Sequence, residues 1–199
     1  MGSGPRQRIG VFGGTFDPVH VGHLVAAVNV RHVLRLDRVL LVVANQPWQK
    51  QDRRVSPAGH RLEMVAAAVA GIEGLEASTI EIERGGESYT ADTLEALAAA
   101  EPGSDLFVIV GADVVADLPT WRRVDTVADL ATLAVVNRPG APDAGPGPSW
   151  TVERVDVPGL DISASDIRRR AAEGRPLDFL VPAPTIDVIR RLGLYAGGR

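Results

Sequence analysis

Cysteine is absent from this 199-residue chain. Its absence removes disulfides, thiolate zinc sites, iron–sulfur clusters and a cysteine nucleophile together. No apolar run approaches the roughly 18 residues that a membrane helix requires, and the opening MGSGPRQR lacks the apolar stretch of a signal peptide. A basic excess is missing too: 21 Lys and Arg against 25 Asp and Glu give a formal net charge of −4. Proteins that bind a nucleic-acid backbone usually carry the opposite balance, so the expectation is no nucleic-acid and no membrane partner. A small anionic ligand in a local pocket remains compatible. Aromatic residues make up only 5%, so each one stands out.

What is present is ordinary globular composition, 45% hydrophobic and 23% charged, in a length that suits one domain of roughly 100–200 residues. The expectation is a cytoplasmic protein of one domain, 1–199, with a core over 5–160 and a helical part over 161–199. Met1–Gly4 carry no functional weight, and self-association is left open. Apolar strands alternate with helical stretches. Ile9–Phe12 ends at the pair Gly13–Gly14, which is expected to turn the chain tightly, and a helix follows from Gly22 to about Leu34. Arg38–Ala44 reads as a strand covered on both faces. Ser56 and Pro57 are expected as cap and first residue of a helix running to Ala70. Leu75–Ile82 alternates as a strand, Thr90–Ala100 is a helix, and Leu106–Val110 and Leu133–Val136 are buried strands. Pro139–Pro148 is too rich in Pro and Gly for a core element. A strand over Thr151–Val155 and helices over Ser163–Glu173 and Pro184–Leu192 complete the chain. This repetition predicts an α/β, doubly wound, Rossmann-like and mainly parallel sheet with helices on both faces. Ligands in such sheets bind beyond the carboxyl ends of the strands, at the switch point.

Gly13–Leu24 reads GGTFDPVHVGHL, a strand end running into a helix start, where backbone N–H groups face an anion. It is neither a Walker A loop nor a GxGxxG fingerprint. His20 and His23 stand at i and i+3, one helix face, and their ring N–H groups suit phosphate oxygens. A histidine near a helix start is often a cap or a packing residue, and a zinc pair usually takes i, i+4 spacing.

This stretch resembles the G-x-F-x-P-x-H-x-G-H motif of the nucleotidyltransferases that share HxGH. Ile162–Arg168, ISASDIR, resembles their second motif, with Ala164 where many relatives have Ser and the needed hydroxyl kept at Ser165. Asn45–Lys50 (NQPWQK), Ser88–Leu94 (SYTADTL), Gly111–Trp121 (GADVVADLPTW) and Asn137–Gly140 (NRPG) are similar to nicotinate-nucleotide adenylyltransferases, and QPWQK to their actinobacterial members.

The resemblance implies transfer of AMP from ATP to nicotinate mononucleotide, with pyrophosphate released and Mg²⁺ bound along with ATP rather than in a protein cage. It assigns catalysis to His20, His23, Lys50 and Arg168. ATP would lie on Gly13, Gly14, Thr15, Phe16, Gly111, Asp113, Ile162, Ser163 and Ser165 as well as the histidines and Arg168. Nicotinate mononucleotide would meet Thr15, Lys50, Tyr89, Thr90 and Arg138, with Trp121 stacked on its ring. Ser165 and Arg168 share a helix face, whereas Arg169 and Arg170 read as solvated. Trp48, Trp150 and Tyr195 read as loop-shaping or packing residues. Two other readings stay open: the same chemistry on nicotinamide mononucleotide or phosphopantetheine, and a nucleotide-binding regulatory module without catalysis.

Overall fold

The computed structural model describes residues 6–47, 55–137, 147 and 149–197. Trp48, Lys50, Arg138 and all of Pro139–Pro148 except Gly147 lie outside the described residues.

Six strands, β1 (Arg8–Gly14), β2 (Arg38–Val43), β3 (Leu75–Ser78), β4 (Asp105–Gly111), β5 (Ala131–Asn137) and β6 (Val152–Asp156), form one sheet in the order β3-β2-β1-β4-β5-β6. Every neighbouring pair is parallel. The helices are α1 (Val21–Val33), α2 (Ala58–Val69), α3 (Ile80–Arg84), α4 (Thr90–Ala100), α5 (Val124–Leu130), α6 (Ala164–Ala172) and α7 (Ala183–Arg191), with a 3₁₀ stretch over Ala112–Thr120. Among the described residues no helix is long and apolar enough to cross a membrane.

The continuous apolar runs explain the layering. Successive side chains leave a strand on opposite faces. Leu41 and Val43 of β2 join Phe107 and Ile109 of β4 in one buried cluster with residues of α1, α2 and α7. Leu40 and Val42 join Val108 and Val110 in a second cluster with residues of α4 and α5. Both faces of the central strands are therefore dry, which requires the unbroken apolar runs that β2 and β4 carry.

Two local expectations are corrected. The alternation over Leu75–Ile82 is not one strand: β3 ends at Ser78 and Ile80 begins α3. Positions two apart lie about 200° apart around a helix. Ile80 thus still packs on one cluster and Ile82 on the other, and a short helix mimics a strand's alternation. Nor is Ser56 the cap of α2. Pro57 holds the N-cap position, and the Ser56 N–H donates to the Asp17 carboxylate at 3.1 Å instead.

The strand order reverses at β1, where the ladders end unequally. β1 stays paired with β2 through Gly14–Val43, and β4 with β5 through Gly111–Val136. The β1–β4 ladder stops at Val11–Val108. The two central strands separate before they end, and the crevice between Gly14 and Gly111 is the switch point expected of this topology.

Candidate active site

The chain leaves β1 without the turn expected at its glycines. Gly13 and Gly14 are strand residues paired with Val42 and Val43. The reversal falls at Phe16, whose φ of 50° is left-handed. Gly14 is needed for another reason: a Cβ there would meet the Phe16 ring at 2.8 Å.

His20 is likewise not on the helix but its N-cap, with an extended backbone, while His23 occupies the third helical position. The i, i+3 spacing still brings the rings together, stacked with centroids 3.7 Å apart. The His20 backbone N–H donates to His23 Nδ1 at 3.2 Å. That nitrogen therefore carries no proton, so in the neutral ring Nε2 is the donor. The Phe16 ring closes edge-on against His23 at 5.1 Å. His20 itself is only 5% exposed.

Arg168, half-buried on α6, faces this turn. Its guanidinium donates to the Asp17 backbone carbonyl at 2.6 Å and to Ser165 Oγ at 3.1 Å. The Ser163 hydroxyl caps α6 by accepting the Asp166 N–H at 3.1 Å. Arg169 and Arg170 are instead both ion-paired with Asp166. Asp113 lies in the first turn of the 3₁₀ stretch, whose N-cap is Gly111. Its carboxylate folds over Gly111, where a Cβ would sit 2.4 Å from Oδ1.

Two cavities open at the crevice. The larger, about 470 Å³, is lined by His20, His23, Asp113, Ile162, Ser163, Ser165 and Arg168 among others. The smaller, about 310 Å³, is lined by Gly13, Tyr89, Thr90, Trp121 and Arg122, together with the buried pair Glu81 and Thr93. Phe12, Gly14, Thr15 and Gly111 line both. Of the residues assigned to ATP from the sequence, Gly13 alone lies only on the smaller cavity. Tyr89, Thr90 and Trp121 do come together there. Tyr89 is the N-cap of α4, and the Arg122 guanidinium lies 4.7 Å from the centre of its ring. Arg123 pairs with Asp92 and Glu95 of α4 and so holds the segment carrying Trp121 against that helix. The Thr93 hydroxyl donates to Glu81 Oε1 at 2.6 Å, and Arg84 donates to Thr93 at 3.2 Å. This arrangement gives the buried Glu81 carboxylate a hydrogen-bond partner within the wall of that cavity.

Behind the larger cavity lies a polar network. Arg61 of α2, 1% exposed, donates to the carbonyls of Thr15 and Ser56 at 2.8 Å each and of Asn45 at 3.1 Å. It joins the ends of β1 and β2 to the start of its own helix. Burial pulls its pKa down, and the Asp17 carboxylate opposes that. The Tyr195 hydroxyl donates to Asp17 Oδ1 at 2.5 Å. Burial first, and Asp17 second, push the phenol well above its ordinary range. A group with a raised folded-state pKa contributes stability in full below its unfolded pKa of about 10 and loses it above. Stability is therefore expected to fall as pH rises past about 10. Chemical denaturation of wild type and Tyr195→Phe across that range checks it: a slope as steep in the variant would exclude Tyr195 as the cause.

Comparison with known proteins fits this geometry. Residues 11–170 match the cytidylyltransferase-like family. Relatives each named "Probable nicotinate-nucleotide adenylyltransferase" come from Streptococcus pneumoniae, Frankia casuarinae and Streptomyces coelicolor. The first is 44% identical over 96% of this chain and 90% of its own length. The second is 47% identical over 93% and 98%, and the third 46% identical over 93% and 99%. The chain belongs to the nicotinate-nucleotide adenylyltransferase family. A Plasmodium falciparum nicotinic acid mononucleotide adenylyltransferase, solved with NaAD, superposes with a TM-score of 0.80 at 17% identity, covering 96% of this chain and 98% of that one. At that identity the likeness speaks for the fold.

Within this nicotinate-nucleotide adenylyltransferase architecture, two residues escaped sequence reasoning. Arg61 sits among the apolar residues of α2, in AGHRLEMVAAAV. An arginine among the buried positions of a helix was the available signal. Tyr195, read as packing, is polar at its tip, and a buried tyrosine hydroxyl usually finds a partner.

Proposed function

We propose that this chain transfers the adenylyl group of ATP to nicotinate mononucleotide, forming nicotinate adenine dinucleotide and pyrophosphate. The observation that carries this reading is the pair of cavities meeting at Phe12, Gly14, Thr15 and Gly111. One is walled with phosphate-binding groups and the other with aromatic rings, so two nucleotides can meet at the shared wall.

The nucleophile is the acceptor's phosphate monoester, which has a second pKa of about 6 and is already anionic at neutral pH. One of its oxygens attacks the α-phosphorus of ATP, and the bond from that phosphorus to the bridging oxygen of the departing pyrophosphate breaks. No base and no covalent intermediate are needed. The site has to align two anions and stabilise charge growing on the leaving group. His20, His23, Ser165 and Arg168 line one cavity for that work. Lys50 is proposed to add a cation and Arg138 to meet the acceptor's phosphate. Asp113 is proposed to hold the ATP ribose. Among the described residues, no group of three or more His, Asp or Glu gathers as a metal cage. Mg²⁺ would arrive bound to ATP's own phosphate oxygens, neutralising charge there.

On the acceptor side, Trp121 offers the stacking face. The Tyr89 side chain does not cap α4, and the first-turn N–H groups of a helix favour a carboxylate. That is a physical reason to prefer the acid over the amide. A cysteine-free chain fits the reducing cytoplasm.

The deciding experiment is an acceptor panel with ATP and Mg²⁺, following pyrophosphate. Release is expected with nicotinate mononucleotide, at a kcat/KM at least about tenfold above nicotinamide mononucleotide, as one charge-assisted contact allows. Release with phosphopantetheine alone would overturn the reading, and no release with any acceptor would favour a regulatory module. A second expectation separates the two cavities. Trp121→Ala should raise KM for the pyridine nucleotide about tenfold, the scale of one ring stacking contact, and leave KM for ATP within about twofold. An equal rise for both would assign Trp121 to the fold.

A further inference from the structure

Asp17 is the point where three parts of the chain are tied to the turn after β1. Its side chain is 5% exposed. Oδ2 accepts the Ser56 N–H ahead of α2 at 3.1 Å, Oδ1 accepts the Tyr195 hydroxyl at 2.5 Å, and its backbone carbonyl accepts from Arg168 Nη1 at 2.6 Å. Arg168 is the cation proposed to face the polyphosphate, so the direction of its guanidinium depends on how rigidly Asp17 is held. Both donors to the Asp17 carboxylate lie outside the phosphate-binding motifs, and one of them is a side chain beyond α7.

The backbone at Tyr195 adds a second observation. Its φ is 62°, a left-handed conformation sparsely populated by non-glycine residues that persists where surrounding contacts over-determine it. The contacts that do so are the ring packed against the first core cluster and the hydroxyl on Asp17. A packing role alone would be met by phenylalanine. The hydroxyl instead reaches a carboxylate one residue from Phe16, on the lining of the larger cavity.

We infer that Tyr195 is a positioning residue of the active site: its hydroxyl fixes the Asp17 carboxylate, and through the Asp17 carbonyl it fixes the Arg168 guanidinium. Tyr195 touches no substrate in this account and acts only through Asp17. The inference rests on the adenylyl-transfer reading for the role given to Arg168.

The test is Tyr195→Phe, which keeps the ring and its packing. Removing one hydrogen bond to a charged group is expected to lower kcat about tenfold, with KM for the pyridine nucleotide within about twofold. The melting temperature falls as well, because the buried Asp17 carboxylate loses a donor, so kcat is read well below it. A merely structural role would lower the melting temperature and leave kcat, read well below it, unchanged. The decisive comparison repeats the substitution in an Arg168→Ala background. If Tyr195 acts through Arg168, it costs nothing further there, because residues in one chain of contacts do not add. An unchanged kcat, or the same tenfold loss repeated without Arg168, overturns the inference. Should the wild type release no pyrophosphate with nicotinate mononucleotide, the activity reading falls by itself. Calorimetric binding of inorganic pyrophosphate then reads the positioning role: about tenfold weaker binding in Tyr195→Phe supports it, and equal binding overturns it.

Discussion

Arg61→Met should lower the free energy of unfolding by about 3–5 kcal/mol, the usual cost of deleting one member of a buried charged set. Methionine matches most of the length of the side chain, so the loss is one of hydrogen bonds and charge, not volume. Three carbonyls, those of Thr15, Asn45 and Ser56, lose their guanidinium donor. Each buried acceptor left unsatisfied costs about 1–3 kcal/mol, and the Asp17 carboxylate loses Arg61, the nearby cation whose charged form it favours. Arg61→Lys should recover less than half, because an ammonium cannot present a planar fork to three carbonyls from separate segments. Activity should fall with stability, since the Thr15 carbonyl belongs to the wall that both cavities share. Urea unfolding midpoints for the two variants provide the measurement. A methionine variant within about 1 kcal/mol of wild type would show that water replaces the guanidinium at these carbonyls.

The large features of this fold were legible because they rest on long, redundant patterns. RVLLVV and LFVIV read as strands covered on both faces, which β2 and β4 are, and the two histidines after the glycine-rich strand end do meet at the start of α1. The ISASDIR helix reads correctly for the same reason: Ser163 is a capping residue, and the i, i+3 spacing of Ser165 and Arg168 makes their contact a matter of helix geometry. The errors came where one pattern serves two structures. Ile80 and Ile82 reach opposite clusters from a short helix as readily as from a strand. His20 meets His23 as an N-cap as readily as from the first turn. The glycine pair looked like a turn because glycine permits one, whereas Gly14 is needed for the room it leaves the Phe16 ring. What was illegible is the network of Asp17, Arg61 and Tyr195. Its hydrogen bonds join residues up to 178 positions apart, and no local periodicity encodes them.

His20→Ala should lower kcat by about 10²–10³, the scale for losing one transition-state donor, while unfolding stability falls by only about 1 kcal/mol, the cost of a lost helix cap. The two effects can be separated because the two ring nitrogens face different ways. Nδ1 lies over the start of α1, where a Cβ on Gly22 would sit 3.1 Å from it. We take Nε2, on the other side of the ring, as the nitrogen offered to the larger cavity that His20 lines. Asparagine places its amide near the Nδ1 position and is a good N-cap. Glutamine, one carbon longer, brings its amide toward Nε2. His20→Asn is therefore expected to keep stability and still lose the rate, and His20→Gln to recover part of the rate. The His23 ring stacked 3.7 Å away limits what glutamine regains, since a flexible amide lacks the flat face that holds His20 in register. Steady-state kcat and urea midpoints for the three variants distinguish the roles. If asparagine restores turnover as fully as it restores stability, His20 is a cap and the phosphate contacts belong to His23 and Arg168.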